Sequence, residues 1–156
     1  MKRISLLIFT FLIITSCSKE YAPRNIKSIE IQEFKMDSTS IRAIKVLDDS
    51  KVYFAGSKGN VGFKTDKGIL LNSLNIKYKD SIIPNFRSVA FNGTDYFALS
   101  ISSPALLYKI SEGTSTIVYK EEHEKVFYDS MHFFDDNKHV IAFGAPTEDL
   151  ASIILT

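Results

Sequence analysis

One segment of strand, turn and strand occurs three times along this chain, and that repetition constrains the fold more than any other feature. Residues 41–47 (Ile-Arg-Ala-Ile-Lys-Val-Leu), the polar turn Asp48-Asp49-Ser50 and residues 52–56 form the first copy. Residues 86–91, the turn Asn92-Gly93-Thr94 and residues 96–99 form the second; residues 128–134, Asp135-Asp136-Asn137 and residues 140–144 form the third. The spacing is 45 residues from Arg42 to Arg87 and 42 from Arg87 to Asp129. Two further strands fit inside each of the first two repeats, at 61–64 and 68–71 and at 105–109 and 116–120, separated by Thr65-Asp66-Lys67-Gly68 and Ser111-Glu112-Gly113-Thr114. Turn signals come about every eight to twelve residues, and helix-period stretches are absent after residue 16.

A period of about 40 to 50 residues with several short strands per repeat is the pattern of a β-propeller, one four-stranded blade to a repeat. The expected class is therefore all-β, a partial β-propeller of about two and two-thirds blades at roughly residues 40–81, 82–125 and 126–156. The third repeat reaches Ser152-Ile153-Ile154-Leu155-Thr156 where the third strand of its blade should end. A ring needs at least about four blades, and an open one exposes a strand edge and an apolar face. The expectation is a truncated or split reading frame, or a second chain that completes the propeller. Residues 29–34 are expected to be the strand that pairs with the last blade.

The N-terminus carries an export address. Lys2 and Arg3 precede an apolar run at 4–14, and the small residues Thr15 and Ser16 follow. The run is about eleven residues long, short of the roughly twenty a spanning helix needs. Ile14-Thr15-Ser16-Cys17 resembles a bacterial lipobox, which implies cleavage before Cys17, a thioether diacylglycerol on its sulfur and acylation, as by palmitate, of its amine. Cys17 is the chain's single cysteine, so no intramolecular disulfide forms. Several acyl chains make such anchoring effectively permanent. The domain reading is a lipoprotein signal peptide at 1–16, a lipidated tether at 17–27 and the propeller at 28–156. Ser18, Lys19 and Glu20 resemble the charged sequences behind the cysteine of exported Bacteroidetes lipoproteins, which implies the outer membrane, on its periplasmic or cell-surface face.

Residues 1–16 hold two of the 19 basic residues and none of the 18 acidic ones, so the remainder carries 17 against 18, a formal charge of −1. Positive charges alternate with acids throughout, which argues against a nucleic-acid partner.

Thr65-Asp66-Lys67-Gly68 resembles a degenerate Asp-box, the hairpin turn of neuraminidase-repeat propellers. The resemblance implies a structural turn in which Asp66 caps backbone N–H groups and Gly68 takes a positive φ. The usual Trp is missing, and Glu112 stands one residue before Gly113 in the second repeat. Arg42 with Ala55-Gly56-Ser57-Lys58-Gly59 and Val61-Gly62, Ser102-Ser103-Pro104-Ala105, and Gly144-Ala145-Pro146 are similar to propellers known as photosystem II assembly-factor-like or oxidoreductase-like proteins of Bacteroidetes. That likeness covers 40–156 and implies a fold without implying a reaction.

Arg42, Arg87 and Asp129 share one position in the repeat, near the start of the innermost strand. In a propeller that position rings the channel mouth, where charged groups bind a glycan, peptide or protein ligand; the alternative is that they are strand-end residues satisfied by neighbouring blades. Strand alternation puts Tyr128 and His132 on the side opposite Asp129. Neuraminidase-like hydrolysis, the alternative function, needs three arginines, a Tyr nucleophile with a Glu, and an Asp. Arg42 and Arg87 are suitably placed, Arg24 lies in the tether and no Tyr and Glu pair stands out, so no catalytic residue is assigned and the remainder of such a site would lie beyond Thr156. His123, His132 and His139 lack ligand-like spacing, and Asp48, Asp49, Asn92, Asp135 and Asp136 fall where turns want Asx residues, so neither a metal nor a cofactor is expected. Gly56-Ser57-Lys58-Gly59 reads as a hairpin turn.

Overall fold

The computed structural model describes residues 23–71, 76–101, 103–111, 113–145 and 153–155. The expected signal at 1–16, Cys17, the first part of the tether, Glu112 and residues 146–152 lie outside them. The chain divides into two units, Met1–Phe34 and Lys35–Thr156.

In the first unit the described residues form no strand. The alternation of Ile29 and Ile31 with Glu30 and Gln32 has the strand period, but residues 29–34 have no strand pairing and Ile29 and Ile31 are exposed. The strand expected there is not formed, because a strand needs a neighbour to take its backbone hydrogen bonds.

The second unit is all-β, in antiparallel sheets, with no helix and no closed barrel among the described residues. β1 (Ile41–Val46), β2 (Val52–Gly56), β3 (Val61–Thr65) and β4 (Gly68–Leu71) pair in chain order as the first sheet. β5 (Phe86–Phe91), β6 (Tyr96–Ser100), β7 (Ala105–Ser111) and β8 (Thr114–Glu121) form the second in the same order. β9 (Tyr128–Phe133), β10 (Val140–Gly144) and β11 (Ile153–Leu155) form the third. β7 and β8 run further than the sequence pattern suggests, Ser111 pairing with Thr114, since the alternation of Ile117 and Tyr119 with exposed neighbours continues to Glu121.

Adjacent strands in the stack are the first of each sheet: β1 lies beside β5, and β5 beside β9. Two cores result. Tyr53, Ala55 and Val61 of the first sheet meet Phe86, Val89, Ala98, Leu106 and Tyr108 of the second. From its other face the second sheet sends Ala90, Phe97, Leu99, Ala105 and Leu107 against Tyr128, Met131, Val140 and Ala142 of the third. Successive residues of β6 and β7 thus serve opposite cores, which is why these strands are continuous apolar runs rather than alternating ones. β8, at the edge, alternates half-buried with exposed.

Each innermost strand begins with a β-bulge. Register shifts fall between Ile41 and Ala43 and between Phe86 and Ser88, and on the third sheet Tyr128 pairs with Gly144 while Ser130 pairs with Phe143. The extra residues are Arg42, Arg87 and Asp129. Beside each bulge one hydrogen bond recurs, all at 3.0 Å: Ser57 N–H to the Ser40 carbonyl, Ile101 N–H to Asn85 and Ala145 N–H to Phe127. The bulge also corrects the strand-alternation expectation for β9. Tyr128 is buried and His132 exposed, so the two do not share a face, because the unpaired Asp129 shifts the alternation by one.

Candidate functional site

The bulges bring the three sequence-equivalent residues to the same end of three neighbouring strands. A bulge leaves its extra residue outside the ladder and re-aims its side chain, and Arg42, Arg87 and Asp129 are all exposed. Arg87 Nη2 lies 3.1 Å from Asp129 Oδ1, with the two side chains 43% and 50% exposed. So open an ion pair contributes about 0–1 kcal/mol, too little to explain the arrangement as a clamp between sheets. Arg42 has no hydrogen-bond or ion-pair partner among the described residues. The row therefore presents a free guanidinium, a second one shared with a carboxylate, and acceptor oxygens, a set suited to carboxylates and hydroxyls.

At the opposite end of the same strands is an open cavity of about 480 Å³, whose polar lining is Lys45, His132, Asp135 and Asn137 beside Phe91 and Phe133. His132, singled out as a possible metal ligand and set aside, lines this cavity. Among the described residues no three His, Cys, Asp or Glu side chains come together.

The Asx residues of the first hairpins are engaged by backbone. Asp48 Oδ1 accepts from Ser50 N–H at 2.8 Å, Asn92 Oδ1 from Thr94 and Asp95 N–H at 3.1 and 2.8 Å, and Asp136 Oδ1 from Lys138 and His139 N–H at 2.9 and 3.0 Å. These bonds favour the ionised form: Ser50 N–H first among its partners holds the Asp48 carboxyl down, and His139 N–H first among its own holds Asp136 down. The turn after β3 differs from its Asp-box likeness. Gly68 takes φ +118°, but the Lys67 N–H donates to Thr65 Oγ1 at 3.2 Å, and Asp66 has no such bond among the described residues. The hydroxyl supplies the cap because Thr65 is paired in the strand and its side chain already lies over the turn.

A Tyr and Glu pair that does not stand out in the sequence is formed. Tyr128 donates to Glu121 Oε2 at 2.8 Å, and Tyr119 to the same oxygen at 3.0 Å. Seven residues separate Glu121 at the end of β8 from Tyr128 at the start of β9, and no periodicity links them. This pair is the opposite of an activated nucleophile. Tyr128 is 1% exposed, and burial, then the Glu121 carboxylate, push its phenol far up.

The segment before β5 is fastened to the end of β8 by a second carboxylate. Glu122 Oε1 accepts from Tyr78 Oη at 2.6 Å and Lys79 Nζ at 2.7 Å, and Oε2 from Lys120 Nζ at 3.2 Å. Lys79 first, then Tyr78 and Lys120, depress its pKa from 4.5 to about 2. The folded value lies below the unfolded one, so the stabilisation is fully present above about pH 4.5 and is lost as pH falls through 2. A carboxyl-detected NMR titration is expected to place the Glu122 midpoint near 2; an ordinary midpoint near 4.5 would show that the network does not form in solution.

Comparison with protein-family models, with curated proteins and with solved structures returned no match.

Proposed function

We propose that this chain is a lipid-anchored cell-envelope protein whose three sheets are successive blades of a partial β-propeller and which works as a binding or assembly module. The observation that supports the reading best is the row of bulged residues. Three strands 45 and 42 residues apart lift Arg42, Arg87 and Asp129 out of their ladders at one end of the stack. Bulges are enriched beside binding sites because they re-aim a side chain at the end of a strand without moving the sheet. In a propeller this end of the innermost strands borders the channel, and a ligand there meets guanidinium groups first. The favoured ligand class is an acidic glycan or peptide whose carboxylate pairs with Arg42 while its hydroxyl or amide groups meet Asp129. The lipid on Cys17 holds the module to the outer membrane, and the likeness to photosystem II assembly-factor-like propellers belongs to the same proposal. Hydrolysis of neuraminidase type is not favoured, since Tyr128, which donates to Glu121, is buried with a phenol harder to ionise than a free one, and Glu122, which accepts from Tyr78, is already engaged by Lys79 and Lys120.

Two results test this. On an array of acidic and neutral glycans and peptides, the protein is expected to retain acidic members, and Arg42→Ala to weaken that retention by about tenfold or more, the loss of one charge-assisted contact. Equal retention of neutral members, or an unaltered Arg42→Ala profile, would sink the ligand assignment. Cys17→Ser is expected to move the protein from the membrane to the soluble fraction; continued membrane residence would remove the lipid anchor from the proposal.

A further inference from the structure

The hairpin after β9 is the longest of the three that close the innermost strands. Six residues join β9 to β10, against five between β1 and β2 and four between β5 and β6. The added length frees one carboxylate. Asp136 makes the cap, as Asp48 and Asn92 do in their own hairpins, and Asp135 accepts no backbone N–H among the described residues. Asn137 follows at φ +56°, in the left-handed region that asparagine tolerates better than most residues.

Asp135 and Asn137 line the cavity of about 480 Å³ at this end of the strands, together with His132 and with Lys45 of β1. Four polar side chains from two sheets meet one space, and none of them has a hydrogen-bond or ion-pair partner among the described residues. By contrast Asp95 is engaged by Lys109 and Ser111, and Glu122 by Tyr78, Lys79 and Lys120. Between the polar groups the lining is apolar, with Phe91 half-buried and Phe134 44% exposed. A concave, largely apolar space of this size with a few uncommitted polar groups is the usual form of a small-ligand site.

The opposite charges stand apart. Lys45 belongs to the first sheet and Asp135 to the hairpin of the third, with β5 between them. Even hydrogen-bonded strands lie about 4.7–4.9 Å apart, and β1, β5 and β9 do not pair with one another, so two steps span at least about 10 Å. A ligand that engages both groups therefore carries an anion at one end and a cation at the other. A single amino acid holds its two charges on one carbon, too close together. An extended dipeptide adds about 3.5 Å per residue and, with a charge-assisted bond of about 2.8 Å at each end, covers the span. The Asn137 side chain offers one amide donor and one acceptor, the complement of a peptide group.

We propose that this cavity binds a zwitterionic peptide of dipeptide size by its two free ends, the carboxylate on Lys45 and the ammonium on Asp135. Asn137 meets the peptide group between them, and the peptide's side chains lie against Phe91 and Phe134. The site is separate from the Arg42 row at the other end of the strands and stands without it.

Calorimetric titration of the full chain with glycyl-phenylalanine tests this. Saturable binding of one peptide per chain is expected, and the N-acetylated peptide, the C-terminal amide and free phenylalanine should each bind about tenfold or more less tightly, since each loses a charge-assisted contact. Two variants cross with the blocked peptides. Lys45→Ala should bind the free peptide and its amide alike while still rejecting the acetylated form, and Asp135→Asn should bind the free and acetylated peptides alike while still rejecting the amide. Both side chains are exposed, so neither change touches the core, and circular dichroism is expected to match the wild type. Lys125→Ala, an exposed lysine of the loop between β8 and β9, should leave every affinity unaltered. No saturable binding at about 1 mM peptide, a free affinity unchanged by blocking either end, variants that weaken all peptides equally, or free phenylalanine binding as tightly as the dipeptide would each overturn the proposal.

Discussion

Gly56→Ala is expected to lower the unfolding free energy by about 3 kcal/mol or more, in the range that marks backbone collision rather than lost contact. Gly56 closes β2 opposite Ile41, beside the bulge at Arg42. A Cβ built on it would overlap the Ser40 carbonyl and stand 2.9 Å from the carbonyl carbon, and both atoms are backbone. That carbonyl is held by the Ser57 N–H at 3.0 Å, so it cannot swing away without giving up the bond that shapes the bulge. The third sheet repeats the constraint at Gly144 against the Phe127 carbonyl. Position alone does not demand glycine: Ser100 fills the same place in the second sheet, its hydroxyl accepting the Leu106 N–H at 2.8 Å and donating to the Pro104 carbonyl at 3.1 Å. The collision therefore belongs to the local path of the chain before β1. Urea unfolding monitored by circular dichroism measures the change, and a loss below about 1 kcal/mol would mean that the bulge yields readily.

Phe86→Ala should cost about 3–5 kcal/mol, the usual loss for an aromatic removed from a closed core. Phe86 is fully buried between the first two sheets, with its ring edge-on to Tyr108 at a centroid distance of 5.8 Å. It also pairs with Ser100 at the bulged end of β5, so the cavity opens beneath Arg87. The same truncation at Val118, exposed on the edge strand β8, should stay within about 0.5 kcal/mol. Equal losses at the two sites would place Phe86 outside the core.

Much of the local structure was readable along the chain. The hydrophobic runs and polar turns at a spacing of 45 and 42 residues located the paired strands of all three sheets, because strand periodicity and Asx turns are properties of neighbours in sequence. The equivalence of Arg42, Arg87 and Asp129 was equally visible as spacing. Their unpaired state was not, since a bulge is one residue more on one strand than on its partner and leaves no trace in composition. For the same reason the alternation that grouped Tyr128 with His132 failed where the ladder slips. Ile29 and Ile31 show the converse: a correct strand period with no strand, because pairing requires a partner that the period does not name.

By itself, then, the sequence determined the all-β class, the repeat and the turns, and it carries the lipobox-like run before Cys17. Only the tertiary structure decided which residue of each turn makes the cap, that Arg87 pairs with Asp129, that Glu121 meets Tyr128 and that Ile44 and Phe143 are exposed. Those facts depend on which strand edge or sheet face comes to lie against which, and that is fixed by packing between segments far apart in the chain, not by the order of residues within any one of them.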